Sequence, residues 1–257
     1  MAVVNGTIFS DNGSSGTGFP LLGTAAADTL NANWSAGSDW MFGGAGNDEY
    51  RVNSTGDVVA EASGNGTDTI ASRLASYTLA SNFENLTLDN TAGFLTALNG
   101  TGNSANNVIT GNSNDNILTG LGGNDTIIAG LGDDTLIGGA GKDTMTDGGG
   151  ADVYDFNATS ESAVGVNRDI CTDFTHNVDE INLATIDADV TAAGNQAFTF
   201  IGNVAFTGTA GEVRYFTSGS DIIIQVELDN DGNTTADMEI QLTGAAVTGI
   251  NASDFAL

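Results

Sequence analysis

Between residues 102 and 155 polar and apolar positions alternate on a nine-residue clock. Written as consecutive nonapeptides, the stretch reads GNSANNVIT, GNSNDNILT, GLGGNDTII, AGLGDDTLI, GGAGKDTMT and DGGGADVYD. The sixth position is always an acid or its amide: Asn107, Asn116, Asp125, Asp134, Asp143 and Asp152. The eighth is always apolar: Ile109, Leu118, Ile127, Leu136, Met145 and Tyr154. Nine residues are too few for a helical hairpin, and glycine at this density opposes any stable helix. A three-residue strand such as TLI buries its central side chain, and the glycine- and asparagine-rich residues before it supply a positive-φ turn. Two half-turns make a coil of 18 residues. The pattern therefore predicts an all-β chain built on a right-handed parallel β-roll, a β-solenoid with rungs about 4.8 Å apart.

The same phase recurs upstream, less strictly. GGAGNDEYR at 43–51 repeats the full pattern, and WSAGSDWMF before it sets Asp39 two residues ahead of Met41. Asp28, Asp48 and Asp68 fall 20 apart, each followed at +2 by Leu30, Tyr50 and Ile70; Asp39 and Asp57 lie 18 apart. DVVAE, SYTLA and ENLTL alternate as strands do. Downstream of residue 156 the ninefold step ends. There Ile222, Ile224, Val226 and Leu228 alternate with polar positions and are answered across a turn by Met238, Ile240 and Leu242, the pattern of an antiparallel hairpin. A solenoid needs such a cap to close its last rung. The expected organisation is an N-terminal segment over 1–19, a degenerate solenoid over 20–101, the nonapeptide roll over 102–155 and an antiparallel β cap over 156–257.

Charge sharpens this picture. Thirty-three acidic residues against five basic ones leave a formal charge of −28, which excludes nucleic acid and anionic lipid as partners and favours cations. With 40% apolar residues the chain is not a solvated acidic tail, and it is expected to fold once its charge is neutralised. Cys171 is the single cysteine, so no disulfide framework or thiolate cluster is available within one chain. No apolar run reaches the ~18 residues of a membrane span, and the N-terminus MAVVNGTIFS lacks the features of a cleaved signal peptide.

In an 18-residue coil Asp125 stacks on Asp143 and Asp134 on Asp152. Two carboxylates at roughly 5 Å repel by about 1 kcal/mol in water and by about 3–4 kcal/mol at an effective dielectric of 20, so a cation is expected between them. Calcium fits: it takes six to eight oxygens in irregular geometry, from carboxylates and from the carbonyls that glycine turns leave free. Magnesium demands a stricter octahedron, and zinc or copper would want more than one His and one Cys.

GGAGKDTMT and its neighbours resemble the GGxGxDxUx nonapeptide of the RTX, or repeats-in-toxin, family, a calcium-binding repeat. The resemblance implies a β-roll holding several calcium ions between its turns, disordered in the cytosol, folding outside the cell and exported by the type I secretion apparatus. Matched residue by residue, it assigns as calcium half-sites Asp125, Asp134, Asp143 and Asp152 with Gly120, Gly122, Gly123, Gly130, Gly132, Gly138, Gly139, Gly141, Gly148, Gly149 and Gly150. Asn107 and Asn116 hold the ligand position with less charge, and Ala105 and Asn114 replace the fourth-position glycine, so weak or absent binding is expected there. Upstream, Asp39 and Asp48 join the candidate ligands, whereas Asp28, Asp57 and Asp68 read as solvated rim residues. Residues 151–257 resemble the C-terminal cap of serralysin-type proteases and of alginate-epimerase R-modules, which implies that the terminal SDFAL serves as an uncleaved secretion signal. Read from structure alone, Phe255 and Leu257 would plug the core.

Little points to catalysis. His176 stands alone without an HExxH pattern and reads as a surface turn residue. GGAGKDT fails as a phosphate loop, because Leu136 stands six before Lys142 and Asp143 replaces the Ser or Thr. DNDGNTTAD at 229–237 departs from an EF-hand and reads as a hairpin turn with at most a minor cation site. Trp34, Trp40, Phe42 and Tyr50 either stack on a cell-surface polysaccharide or fill the first rungs. Two functions stay open: a secreted, non-enzymatic surface, matrix or adhesion component, with self-association through its stacked ends, or the secretion and folding module of an extracellular polysaccharide-modifying enzyme or protease.

Overall fold

A computed structural model of the chain describes residues 8–10, 20–31, 38–89, 99–228, 234–244 and 249–257. Trp34, most of the 1–19 segment and most of the 229–237 turn lie outside the described residues.

The chain winds as a parallel β-roll between two walls. One wall is a thirteen-stranded sheet that begins Ile8–Ser10, Thr29–Asn31, Glu49–Val52, Thr69–Ser72 and Asn85–Leu88. It continues through Val108–Thr110, Thr126–Leu131, Thr144–Gly149 and Asp169–Thr172, all in parallel register. The facing wall is split. Leu21–Leu22, Trp40–Phe42 and Val58–Ala60 form a three-stranded sheet, and Ser76–Thr78, Asn99–Thr101, Ile117–Gly122, Thr135–Ala140, Val153–Asp155, Glu180–Asn182 and Phe255–Ala256 a seven-stranded one.

The apolar eighth positions form the core. Leu30, Tyr50, Ile70, Leu86, Ile109, Ile127, Met145 and Cys171 stack in register along the first wall, all fully buried. Leu118, Leu136, Tyr154 and Ile181 form the facing column. Full burial of one such side chain stabilises the fold by about 1.5–3 kcal/mol, which is why one apolar residue per half-turn holds so glycine-rich a coil. In the turns, Gly132 has φ +115°, and a Cβ there would run into the backbone of Asn114 and Asp115 one rung away. Glycine is required because the rungs touch as well as because the backbone is left-handed.

The coil outlasts the nonapeptides. Met145 pairs with Cys171 and Tyr154 with Ile181, so two longer rungs continue both walls past residue 156 without a break. The antiparallel cap begins only afterwards. The expected hairpin is present, with Ile222 opposite Leu242, Ile224 opposite Ile240 and Val226 opposite Met238. A third strand, Glu212–Ser218, extends it antiparallel, and Thr199–Gly202 lies at the edge. Met238–Thr243 pairs in parallel with Asp169–Thr172, so the cap is a direct extension of the first wall. The chain end closes the second wall: Phe255 pairs with Ile181, is 7% exposed and packs its ring 5.1 Å from that of Phe200. His176 lies in a turn as expected but is tied down, its Nδ1 2.8 Å from Oδ1 of buried Asp254.

Candidate metal centre

Most strands of the roll are entered through an acid or its amide, and these residues form two columns, one along each edge of the roll. In the first, Asp48, Asp68, Asp125, Asp143 and Asp169 each turn Oδ1 to the backbone N–H of the corresponding residue one rung earlier, which are Asp28, Asp48, Asn107, Asp125 and Asp143, at 2.7–2.8 Å. In the second, Asp57, Asp134, Asp152 and Asp179 do the same for Asp39, Asn116, Asp134 and Asp152 at 2.6–3.1 Å. The stacking expected of Asp125 with Asp143 and Asp134 with Asp152 is the register found. What joins each pair directly is a charge-assisted hydrogen bond to the backbone.

The second carboxylate oxygen separates two kinds of turn. Where the turn is polar, the N–H four residues before the acid or amide closes it. Thr24 donates to Asp28, Asn53 to Asp57, Asn103 to Asn107, Asn112 to Asn116 and Thr175 to Asp179. Asn107 is further satisfied by donating Nδ2 to the carbonyls of Phe83 and Glu84. Where the turn is glycine-rich, no such bond forms. Oδ2 of Asp48, Asp125, Asp134, Asp143 and Asp152 is buried with no hydrogen-bond partner, as is that of Asp169, which follows a turn with a single glycine. A buried carboxylate oxygen without a partner is costly, so five in one structural position call for a ligand.

The surroundings of these oxygens fit a hard cation. A Cβ on Gly120 would fall onto Oδ2 of Asp125 and within 2.5 Å of the Gly138 carbonyl oxygen; one on Gly138 would fall 2.5 Å from Oδ2 of Asp143. A carboxylate oxygen and the next rung's carbonyl oxygen thus converge in space that only glycine leaves open, an oxygen donor set of the type calcium takes. Burial is the leading cause of the raised carboxyl pKa values. Asp125 is pushed up to about 7, with the Asp143 charge adding to it, and Asp134 and Asp143 to about 6. Asp48 and Asp152 are raised for the same reason. Desolvation outweighs the rung-to-rung repulsion expected from the sequence.

Other acids were misjudged. Asp28 and Asp68 are 3% and 1% exposed rather than solvated, while Asp39, a candidate ligand, is buried in the other column. Asp48, Asp68 and Glu61 bring carboxylate oxygens within 4.8 Å of one another, with the Tyr50 hydroxyl donating to Glu61. Tyr50 fills the core, whereas Trp40 is 54% exposed. Asp169 and Asp179 were overlooked, although Asp169–Ile170–Cys171 and Asp179–Glu180–Ile181 repeat the acid followed at +2 by an apolar anchor. Also unforeseen is an exposed fifth-position ladder, in which the Asn106, Asn124, Asp115 and Asp133 side chains accept N–H groups of the following rung.

No curated protein matches the chain. Among solved structures, the AlgE6R3 subunit of the Azotobacter vinelandii mannuronan C5-epimerase aligns at 22% identity over 60% of this chain and 78% of its own, with a TM-score of 0.44. The AlgE6R2 subunit of the same epimerase aligns at 23% identity over 60% and 91%, with a TM-score of 0.40. The family model of the RTX calcium-binding nonapeptide repeat matches residues 21–50, a span that ends within GGAGNDEYR. A second model, described as peptidase M10 serralysin C terminal, matches residues 91–256, and with most of its length so covered the chain belongs to that family.

Proposed function

We propose that the chain is a secreted, non-enzymatic calcium-binding roll that completes its fold on extracellular calcium and serves as a surface, matrix or adhesion component. The observation that carries this is the row of partnerless Oδ2 atoms beneath the glycine turns. Asp48, Asp125, Asp134, Asp143 and Asp152 supply a carboxylate oxygen each, and Gly138 and its counterparts supply carbonyl oxygens. Bound calcium offsets charge that folding removes from water, so ion binding contributes directly to folding free energy. The polar turns of Asn107 and Asn116 are closed by their own N–H groups and bind weakly or not at all. Extracellular modules of this kind work at about 0.1–1 mM calcium, which the cell exterior supplies and the cytosol does not. Circular dichroism during a calcium titration tests the reading: β-structure lost in chelator should return in the millimolar range. Full order after exhaustive chelation, with no ion retained, overturns it.

A second reading makes the chain the secretion and folding module of a larger extracellular enzyme. The family match favours it, since that family is named as the C-terminal part of peptidases. In either case export through a type I apparatus is expected to need the C-terminal region. Export that survives deletion of residues 200–257 would remove that element from both readings.

A further inference from the structure

The outer face of the first wall is nearly free of charge. From Thr69 to Thr172 its two outward columns hold only threonine, asparagine, alanine, valine and isoleucine. One rung breaks this. Glu49 and Arg51 both point outward from the strand Glu49–Val52, and Arg51 Nε donates to Glu49 Oε1 at 2.6 Å. Each side chain of the pair is 37% exposed, and the terminal nitrogens of Arg51 make no hydrogen bond to any described residue. On the next rung Arg51 is followed in register by Ala71, the smallest side chain in either column. The step from a long side chain to a short one opens a cleft of about 460 Å³, lined onward by Thr87 and, two rungs beyond Ala71, by Asn112 and Ser113. Four rungs about 4.8 Å apart make it roughly 14 Å long. None of these side chains belongs to the acid columns except through the neighbouring turns that Asn112 helps to close.

The lining sets the class of ligand. Arg51 is balanced by Glu49, and Asp89 at the edge of the cleft by Arg73 at 3.0 Å, so the site is locally neutral in a chain of formal charge −28. A free cation finds no uncompensated carboxylate there, and an anion is repelled by the rest of the molecule. A peptide would need backbone partners, but the strands beneath spend theirs on the parallel ladder, and only side chains face outward. What the cleft offers is a mixed set: guanidinium N–H groups, a carboxylate oxygen, an amide and hydroxyls. Sugar hydroxyls both donate and accept, so a set of this kind matches them, and the volume lies within the about 300–1,000 Å³ usual for small-molecule sites. We propose that this cleft binds a neutral oligosaccharide lying along the roll axis, with Arg51 donating to its oxygens and Glu49 accepting from its hydroxyls. Among the described residues no aromatic ring lines the cleft, so one site binds modestly and adhesion draws on several copies. The inference deepens the adhesion reading by naming its target, and it rests on the folded roll of that reading.

Saturation-transfer NMR and calorimetry test it on the full chain in saturating calcium, with circular dichroism confirming β-structure in every sample. The probes are cellohexaose, mannohexaose and xylohexaose, with a mannuronate hexamer as the anionic comparison. At least one neutral probe should bind. Arg51→Ala removes the donors and Ala71→Leu fills the cleft without changing charge, and each should weaken binding by about tenfold or more. Ile128→Thr, an exposed position farther along the same wall, should leave it unchanged. A folded, calcium-loaded chain that binds none of the neutral probes, or whose binding survives both cleft variants, overturns the site and leaves the calcium reading standing. Tighter binding of the mannuronate hexamer than of any neutral probe, lost in Arg51→Ala, overturns the ligand class. A chain that binds no calcium yet takes a neutral probe through Arg51 overturns the calcium reading and keeps the cleft.

Discussion

Asp143 Oδ1 accepts the backbone N–H of Asp125 at 2.7 Å across one rung, while its own Oδ2 lies buried and partnerless beneath Gly138. One carboxylate thus has two separable parts: one oxygen aligns successive rungs, and the other, on the proposed reading, takes a cation.

The two tasks come apart by mutation. In Asp143→Asn the amide oxygen still accepts the Asp125 N–H, and a buried charge is removed. In chelator this variant should retain more β-structure than wild type, a shift of about 1–2 kcal/mol toward the folded state, and it should lose one calcium. Asp143→Ala removes both oxygens and strands a buried N–H, costing about 1–3 kcal/mol. Circular dichroism of the pair in chelator, together with calcium stoichiometry, checks this. Equal apo stability of the two would show that the rung bond contributes nothing.

Protons and calcium should compete for the same carboxyls. Burial raises Asp125 to about 7 and Asp169 to about 8, so the calcium-free folded state binds protons that the unfolded chain, with ordinary aspartates, has released. That contribution to stability is fully present below about pH 4 and is lost as pH rises through 6 to 8. In chelator the chain should therefore be more ordered at pH 5 than at pH 8. Calcium affinity should run the opposite way, weakening roughly tenfold per pH unit for each carboxyl that must ionise. Circular dichroism and titrations at both pH values test the two slopes.

Most of the roll was legible because a nine-residue period puts ligand and anchor in fixed phase, and the columns from Ile109 to Tyr154 are the core. The cap hairpin was legible from the alternation of Ile222, Ile224 and Val226. Past residue 156 the interval between rungs lengthens to 26 or 27 residues, as between Asp143 and Asp169 or Asp152 and Asp179, so counting by nine lost the column. The short pattern of acid and apolar anchor persisted and could have found both residues. Burial of Asp28 and Asp68 was hidden for a different reason. Their residue type says solvent, and only the register of their strands says edge of the core.

One non-glycine is held where its counterparts are glycine. Leu121 has φ +79°, while Gly130, Gly139 and Gly148 fill the same repeat position, and its side chain is 49% exposed. A left-handed backbone costs an ordinary residue about 1–2 kcal/mol, and glycine's greater unfolded-state entropy takes back about 0.5–1 kcal/mol. Leu121→Gly should thus stabilise the calcium-loaded roll by up to about 1 kcal/mol, seen as a small rise in Tm. A fall would mean that the exposed leucine covers apolar surface worth more than the strain.

Gly120 is where space and ligand coincide. Its Cβ would overlap Oδ2 of Asp125 and crowd the Gly138 carbonyl, so Gly120→Ala should lose one calcium without touching any acid. Gly64→Ala is the control: its left-handed φ of +79° imposes a backbone penalty that Gly120, outside that region, does not carry, yet nothing lies within 4 Å of the added carbon. A loss of calcium in both variants would mean that general destabilisation, not the crowded cradle, was responsible.

The chain end should unfasten separately from the roll. Asp254 is fully buried and accepts His176 Nδ1 at 2.8 Å, the Asn177 N–H at 2.9 Å and the Asn251 N–H at 2.8 Å, with the Asn251 side chain capping the same turn. Asp254→Ala leaves all three donors without their acceptor, at a cost of about 2–4 kcal/mol. The local consequence is release of Phe255–Ala256 from Glu180–Asn182, since little else hydrogen-bonds that two-residue strand. Limited proteolysis should then clip the terminal residues of the variant under calcium concentrations that protect wild type, while calcium stoichiometry is retained. Loss of ions together with the tail would mean that the terminal strand supports the metal sites as well as the edge it covers.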